Sequence, residues 1–340
     1  MTIGVALIGS GIFAKEEHLP AIQATSVLSL KAVYSRSLKS ARTLSENLEN
    51  VELYSDDQEG KTFEDLLKRE DITGVIIALP ILVQPDFIKK AIGARKYVLA
   101  EKPIAKDTQT AEELLQWIKK HGKPGQYAVA ENFRFLPSFH HASQQISSLG
   151  RILSFRARVT NLVQPGGKYF ETAWRKTPEY QGGFLLDGGV HFVAGLRLML
   201  AGSGNKMKTI SAFSAQLQEH LPPVDTFNSI IQIDSGSSGT LTISFGTTDG
   251  GSEYFVACEK GTVQVLRGKV VVKKDGKEET QDFPDEGSGV KQEVKAWAES
   301  LEQGKSNEMQ SPEEALNDLR VLEACLRSGE QGGKPVEVQQ

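Results

Sequence analysis

Short apolar runs alternate with amphipathic stretches through the first 125 residues. The apolar runs predict strands at 3–8, 28–34, 75–79 and 97–100. The amphipathic stretches predict helices at 13–24, 37–47, 62–68, 84–94 and 108–121. An apolar run of this length is typical of a strand buried on both faces. Regular alternation of such strands with helices predicts a doubly wound parallel sheet.

The pattern changes after the turn-forming segment Gly122-Lys123-Pro124-Gly125. Strand-like runs follow at 152–162, 209–216, 227–234, 239–246, 253–258 and 262–274. Helical patterns occur at 183–200, 291–303 and 312–328. Because short turns join many of these strands, we expect an antiparallel sheet. The chain is therefore predicted to form two domains, residues 1–125 and 126–340.

Composition narrows the class of protein. The 340 residues carry a formal net charge of −4, so bulk charge does not favour binding to nucleic acid or an anionic membrane. The two cysteines, Cys258 and Cys325, are far apart and are predicted to be reduced thiols. We find no apolar run approaching the roughly 18 residues needed to span a bilayer. A cytoplasmic location is the resulting expectation.

A glycine-rich turn, Gly9-Ser10-Gly11-Ile12-Phe13-Ala14, joins the first strand to the first helix. Gly9 permits a tight turn, Gly11 leaves room for a pyrophosphate, and Ala14 lets helix and strand pack closely. The following helix N-terminus favours an anion. The turn predicts a dinucleotide site that includes Gly9, Gly11, Ile12, Phe13 and Ala14.

The turn after the second strand, Tyr34-Ser35-Arg36-Ser37, contains no acidic residue. An NAD-preferring site usually has Asp or Glu there to bind the ribose 2′-hydroxyl. Ser35 can instead hydrogen-bond a 2′-phosphate, and Arg36 can pair with it or stack on the adenine. We therefore predict NADP (NADPH) as the preferred cofactor. The alternative is that Arg36 is a solvated surface charge.

Lys102 directly follows a predicted strand, within Glu101-Lys102-Pro103. Ligands of open parallel sheets bind beyond the carboxyl ends of the strands, so Lys102 lies on the ligand side of the sheet. An ammonium there can hydrogen-bond the reacting oxygen and stabilise charge in the transition state. The alternative is an ordinary surface lysine.

Asp187 and His191 are four residues apart on a predicted helix and therefore share one face. His191 can take the proton of a substrate hydroxyl as hydride leaves, or return it in the reverse direction. Asp187 either orients the imidazole or binds a substrate hydroxyl. Gly182 and Gly183 at the start of the predicted helix would let the backbone approach a ligand closely. The alternative is a capping aspartate and a core histidine. We interpret Lys102, Asp187 and His191 as the catalytic residues of a hydride-transfer site.

Two other chemistries have weaker support. The remaining histidines are scattered, with no two-cysteine or His-x-x-x-His cluster beside His191, so no metal is predicted. No Gly-x-Ser-x-Gly sequence or cysteine nucleophile indicates acyl transfer.

Together these segments resemble the Gfo/Idh/MocA oxidoreductases, the family of glucose-fructose oxidoreductase, inositol dehydrogenase and rhizopine-catabolism proteins. The resemblance spans essentially the whole chain. It rests on Gly9-Ser10-Gly11, the strand 75–79 with Pro80, Glu101-Lys102-Pro103, Asn132-Phe133-Arg134-Phe135, Trp174-Arg175, Leu186-Asp187 with His191, and Gly333-Lys334-Pro335-Val336. It implies an α/β fold in which an N-terminal Rossmann domain precedes a C-terminal α/β domain. The C-terminal domain has a large, mostly antiparallel open sheet that forms the contacts of a homo-oligomer.

The resemblance also implies roles for individual residues. Lys102, Asp187 and His191 match the family's catalytic positions. Leu79, Pro80, Glu101 and Lys102 would lie near the nicotinamide and its ribose, and Trp174 and Arg175 would reach the cofactor or substrate. Two positions depart from the family pattern: many members have histidine where Gln84 stands, and members often have aspartate where Ala194 stands. We expect these changes to alter polar contacts in the nicotinamide or substrate pocket.

The leading prediction is an NADP-dependent oxidoreductase acting on a sugar, a polyol or a related hydroxy or carbonyl compound. One alternative is a dinucleotide-binding regulatory protein without catalysis. Another is a reductase of an imine or a dihydrodiol-type substrate on the same scaffold.

Overall fold

A computed structural model describes residues 2–339, which form two compact units. The first unit contains the residues up to Asn132 together with Gly289–Leu316. The second contains Phe133–Ser288 and the residues from Asn317 onward. This division differs from the predicted boundary at residue 125 in two ways, because the sheet of the first unit continues beyond that point and a later segment returns to it.

The first unit is built on a six-stranded parallel sheet in the order β3-β2-β1-β4-β5-β6. Its strands are β1 (Ile3–Ile8), β2 (Leu28–Ser35), β3 (Glu52–Ser55), β4 (Gly74–Ile77), β5 (Tyr97–Glu101) and β6 (Tyr127–Ala130). Its connecting helices are α1 (Leu19–Ala24), α2 (Leu38–Ser45), α3 (Phe63–Leu67), α4 (Gln84–Gly93) and α5 (Thr108–His121). The predicted doubly wound parallel sheet is confirmed. The prediction missed β3 and β6, which are only four residues long.

A π turn at Ala14–His18 precedes α1 in the helix that follows the glycine-rich turn. The N–H of Leu19 donates to the carbonyl of Ala14, five residues back. Pro20 has no N–H to donate, so the regular helical ladder is already interrupted at this point. The π turn brings His18 to a fully buried position.

The second unit is built on a nine-stranded sheet in the order β14-β13-β12-β11-β7-β10-β9-β8-β15. Every neighbouring pair is antiparallel except β7 and β10, which confirms the predicted, mostly antiparallel sheet. Its strands are β7 (Ile152–Leu162), β8 (Met207–Ala215), β9 (Thr226–Ile233), β10 (Ser238–Ser244), β11 (Gly246–Cys258), β12 (Gly261–Leu266), β13 (Lys269–Lys274), β14 (Lys277–Asp282) and β15 (Val336–Glu337).

The helices of the second unit are α6 (Pro137–Ser148), α7 (Ala173–Lys176), α8 (Phe184–Ala201) and α10 (Pro312–Glu330), the last of which begins in the segment assigned to the first unit. By length and composition α8 could cross a membrane, contrary to our sequence-based expectation. Yet 61% of it is buried inside the protein, where it packs against α6 and β10. This burial accounts for its apolar composition.

The remaining helix, α9 (Val290–Gln303), belongs to the first unit. Val290, Val294 and Trp297 join the hydrophobic core that β1 forms with α1. The first unit therefore takes one of its core helices from a late part of the chain.

Candidate active site

Gly9 cannot be replaced by a larger residue without distorting the turn after β1. Its φ angle is +113°, in the region that favours glycine. A Cβ atom at this position would lie 2.3 Å from the carbonyl oxygen of Ala78. The N–H of Gly9 donates to the carbonyl of Tyr34 at 2.8 Å. The turn is thereby held between the ends of β2 and β4.

Gly11 faces open space, because a Cβ atom there would meet no atom within 4 Å. Ala14, by contrast, is buried, while Ile12 and Phe13 are half-buried. The turn therefore has one closely packed side and one open side at Gly11. This is the shape of a cradle for a phosphate group that approaches the backbone.

Ser35 and Arg36 differ in how accessible they are at the end of β2. Ser35 is buried, and its hydroxyl lies 2.7 Å from that of Ser10, which joins the glycine-rich turn to β2. Arg36 is exposed. At the start of α2 the N–H of Leu38 donates to Asp57 at 2.8 Å. The nearby Ser55 hydroxyl and the hydrogen bond from the Leu38 N–H hold the pKa of Asp57 below its usual value. Because Arg36 is exposed and Ser35 is buried, Arg36 is better placed to meet a ligand from solvent.

Glu101, the last residue of β5, pairs with His18 of the π turn. The His18 Nε2 and Glu101 Oε1 atoms are 2.7 Å apart, and the Glu101 side chain is only 11% exposed. Sequence reasoning did not single out His18. Lys102 follows directly and is half-buried. The edge of the sheet at the carboxyl end of β5 thus carries a lysine beside a buried histidine–carboxylate pair.

The segment after β4 carries Leu79 and Pro80, both half-buried, before α4 begins at Gln84. Gln84 is 1% exposed, and neither atom of its amide has a hydrogen-bond partner within residues 2–339. The departure from the family pattern at this position therefore places an unsatisfied amide inside the first unit.

In the second unit, α8 places Asp187 one turn before His191. Asp187 is 6% exposed, and its Oδ2 atom accepts a hydrogen bond from Nε of Arg175 at 2.6 Å. The Arg175 guanidinium also lies over the Trp174 ring, 4.0 Å from its centroid. The half-buried His191 stacks on Phe133 with ring centroids 5.1 Å apart. Asp187, Arg175 and Trp174 therefore form one cluster.

Two family models match the chain. Residues 3–129 match the NAD-binding Rossmann-fold domain of the Gfo/Idh/MocA oxidoreductase family. Residues 144–338 match the C-terminal alpha/beta domain of the same family. The chain is a Gfo/Idh/MocA oxidoreductase.

Known proteins are similar to all or part of this Gfo/Idh/MocA oxidoreductase. Dehydrogenase FPY6 of Fusarium mangiferae is 42% identical over 96% of this chain and 96% of its own length. A dTDP-3,4-didehydro-2,6-dideoxy-α-D-glucose 3-reductase of Actinomadura kijaniata is 32% identical over 58% of this chain and 56% of its own. A solved oxidoreductase structure from Thermotoga maritima superposes with a TM-score of 0.88, at 30% identity over 99% of both chains.

Gly182 and Gly183 of this Gfo/Idh/MocA oxidoreductase pack closely against protein at the start of α8. We expected them to let backbone approach a ligand. A Cβ atom on Gly183 would instead lie 2.4 Å from the Pro222 carbonyl oxygen, and one on Gly182 would lie 2.9 Å from Leu326. Their φ angles of +49° and +73° also favour glycine. These glycines therefore permit close packing of the α8 start against protein.

Tyr180 is a further residue of the Asp187 cluster that the sequence did not indicate. It is 8% exposed, and its ring packs 6.2 Å from that of Trp174. Burial, and then the nearby Asp187 charge, raise the pKa of its phenol above the usual value. Tyr180 therefore keeps its proton and adds a neutral hydroxyl beside the Asp187–Arg175 pair.

The two cysteines are separate and buried. Burial raises the pKa of Cys258 to about 11 and that of Cys325 to about 12. Neither thiol is therefore a nucleophile at neutral pH. Across residues 2–339, no group of three or more His, Cys, Asp or Glu side chains is arranged to hold a metal ion.

Proposed function

We propose that this oxidoreductase transfers a hydride between NADP and a sugar, a polyol or a related hydroxy or carbonyl compound. The observation that carries the proposal is the buried Asp187–Arg175 pair one helical turn before His191. A carboxylate and an imidazole on one helix face are suited to binding a hydroxyl and moving its proton.

The first unit fits a dinucleotide. Its glycine-rich turn is open at Gly11 and tied to the end of β2 by the Ser10–Ser35 contact. Arg36 supports NADP over NAD, because its exposed guanidinium can pair with a 2′-phosphate and the turn that carries it, residues 34–37, has no acid of its own to bind a 2′-hydroxyl. Leu79, Pro80 and Glu101 would contact the nicotinamide end. When bound, the nicotinamide supplies the hydride donor or acceptor.

Each catalytic side chain has a separate task in this proposal. Lys102 donates a hydrogen bond to the reacting oxygen and stabilises the charge that develops there. His191 takes the proton from the substrate hydroxyl, or returns it when the carbonyl is reduced. Arg175 orients the Asp187 carboxylate through its hydrogen bond to Oδ2, and Asp187 accepts a hydrogen bond from a second substrate hydroxyl.

The name of the Actinomadura relative, a reductase of a sugar nucleotide, supports a sugar-type substrate. A hydroxylated substrate would also match the acceptor and donor groups around Asp187. We further propose that copies of the chain associate through the sheet of the second unit, whose outer face exposes Phe213 and Ile230. The cytoplasmic location stays a prediction.

The first test is a calorimetric titration of the purified protein with NADPH and with NADH. We expect NADPH to bind more tightly. Arg36→Ala should weaken NADPH by about tenfold to a hundredfold, the value of a charge-assisted bond to phosphate, and should leave NADH nearly unchanged. Arg327→Ala, which removes an exposed arginine from the second unit, is the control and should alter neither affinity.

Equal weakening of both cofactors by Arg36→Ala would contradict the 2′-phosphate assignment. Tighter binding of NADH would preserve the dehydrogenase and overturn the NADP preference. A protein that binds a cofactor but turns over no member of a sugar and carbonyl panel would favour the regulatory alternative.

A further inference from the structure

Glu293 is a buried carboxyl group that the proposed reaction does not use. It lies in the first two turns of α9 and is 0% exposed. Neither of its carboxyl oxygens has a hydrogen-bond partner in the part of the chain that the structure describes. An ionised carboxylate without partners is strongly disfavoured in the protein interior. Glu293 therefore holds a proton in this state of the protein.

The sheet topology places Glu293 close to the lysine edge of the first unit. In the parallel β5–β6 pair, Glu101 lies opposite Ala130, so Lys102 and Glu131 follow on adjacent strands. Glu131 is 2% exposed. Helix α9 packs against both β6 and the π turn that carries His18. Three carboxyl groups, one lysine and one histidine thus belong to a single region of the first unit that is buried or half-buried.

The charges of this region act on Glu293 in opposite directions. Burial is the main reason that its pKa lies well above the usual value, and the nearby Glu101 and Glu131 charges raise it further. Lys102 acts in the opposite direction. The proton on Glu293 is therefore sensitive to any charge added near Glu101 and Lys102.

The other charged groups around α9 are directed toward solvent or lie farther along the helix. On the π turn, Lys15 and Glu16 are exposed and Glu17 is half-buried. Helix α1 contains no charged residue. On α9 itself, the remaining charged residues are all exposed: Lys291, Lys295, Glu299 and Glu302. Glu101, Glu131 and Lys102 are therefore the charged groups that act on Glu293, and Glu101 is in turn bonded to His18.

We propose that Glu293 is a buried proton store that releases its proton to solvent when the oxidised cofactor binds and retains it when the reduced cofactor binds. The inference rests on the proposed function, in which the nicotinamide lies beside Glu101 and Lys102. The two cofactor forms carry the same phosphates and differ in the ring, which is cationic only when oxidised. A cation beside the carboxyl cluster favours the ionised form of Glu293. The Glu293 O–H bond breaks and the proton passes to the buffer, with no change in redox state.

Calorimetry at neutral pH measures this proton directly. The intact protein is titrated with NADP⁺ and with NADPH in phosphate and in Tris, whose ionisation enthalpies differ. The dependence of the observed heat on the buffer gives the number of protons exchanged. We expect NADP⁺ to release a larger fraction of a proton than NADPH. Glu293→Gln should bind both forms and abolish this difference, whereas the control Glu302→Gln, an exposed position on the same helix, should preserve it.

Equal proton release by the two forms in the wild-type protein, or a difference that persists in Glu293→Gln, would overturn the proton store while leaving cofactor binding intact. Binding of neither form would overturn the proposed function as well. The wild-type protein also provides a test that needs no variant. Addition of NADP⁺ should produce a negative band at the C=O stretch of a protonated carboxyl group in the bound-minus-free infrared difference spectrum, and NADPH should not. Absence of that negative band with NADP⁺ would contradict the proposal.

Discussion

At the scale of single residues, neighbouring groups determine what each polar side chain can do. Arg175 illustrates this, since the family resemblance implied a cofactor or substrate contact and the structure pairs it with Asp187. Ser35 is similar, because its hydroxyl is buried against Ser10. Lys102 lies at the carboxyl end of β5, where a ligand of a parallel sheet binds. A single substitution of Lys102 can therefore test its effect on turnover separately from its effect on cofactor binding.

Lys102→Ala should lower turnover by about a hundredfold to a thousandfold, because it removes a donor at the oxygen where charge develops. NADPH binding should remain close to that of the wild-type protein. Steady-state kinetics on the substrate found by screening, together with cofactor titration, measures both. Lys106→Ala is the control, since Lys106 is an exposed lysine four residues later. Unchanged turnover in Lys102→Ala would remove this lysine from the mechanism.

Much of the cofactor loop could be predicted from the sequence, because each requirement there is local. A glycine between a strand and a helix commonly marks a tight turn, and Gly9 indeed has a positive φ angle. The His18–Glu101 pair joins residues 83 positions apart, so no local pattern indicates it. Gly182 and Gly183 show the reverse case: the need for glycine was visible, but its cause, the Pro222 carbonyl, lies far along the chain.

At the scale of helices and strands, a buried ion network links three segments of the second unit. Asp318 of α10 accepts from Arg134 at 2.5 Å and from Arg197 of α8 at 2.6 Å. Arg134 lies next to Phe133, the ring that stacks on His191. The network therefore joins the elements that position His191.

Asp318→Asn should destabilise the second unit by about 3 to 5 kcal/mol, the usual cost of removing one partner from a buried ion pair, because two arginines then face a neutral amide. Urea unfolding followed by tryptophan fluorescence and circular dichroism measures the change. Glu330→Gln, an exposed position on the same helix, should have almost no effect. A loss below about 1 kcal/mol in Asp318→Asn would show that the network contributes little to stability.

A helix or strand could be predicted from the sequence where its composition and its length indicated the same type of element. Helix α5 begins and ends where its pattern indicated, because Asp107 accepts from Thr110 at its start and Gly122 follows its end. Helix α6 was missed, since its serine, histidine and glutamine residues leave few apolar positions. The pattern of residues 262–274 predicts one strand, but a turn at Gly268, whose φ angle is +68°, divides it into β12 and β13. The valines on both sides of the turn, Val263 and Val265 before it and Val270 and Val272 after it, conceal it in the sequence.

At the scale of the whole molecule, sequence order and spatial order differ. The pattern of α9 showed an apolar face, but periodicity does not reveal which core that face enters. Trp297 joins the core that contains Val5 and Leu7, which lie near the start of the chain. Because α9 joins the first unit, it also brings Glu293 there. The sequence segments that suggested the cofactor site therefore gave no indication of the proposed proton store.

The outer face of the second sheet is the surface that we expect to meet a second copy of the chain. Phe213 on β8 is 68% exposed and Ile230 on β9 is 61% exposed. Because Phe213 lies opposite Asn228 and Ile230 lies opposite Ser211, the two apolar side chains are diagonal neighbours on one face. A stable interface covers about 800 Å² on each partner, so these residues would form the apolar centre of a larger contact.

Ile230→Lys should therefore weaken self-association by at least about tenfold, because it would place an ammonium group in that apolar centre. Sedimentation velocity over a range of protein concentrations measures the change. Thr280→Lys is the control, since it adds the same charge to an exposed position on the edge strand β14. We expect a dimer or larger assembly for the wild-type protein and for the control, and a shift toward monomer for Ile230→Lys. A wild-type protein that stays monomeric at micromolar concentration, or an Ile230→Lys variant that associates as the wild type does, would show that this face is not the interface.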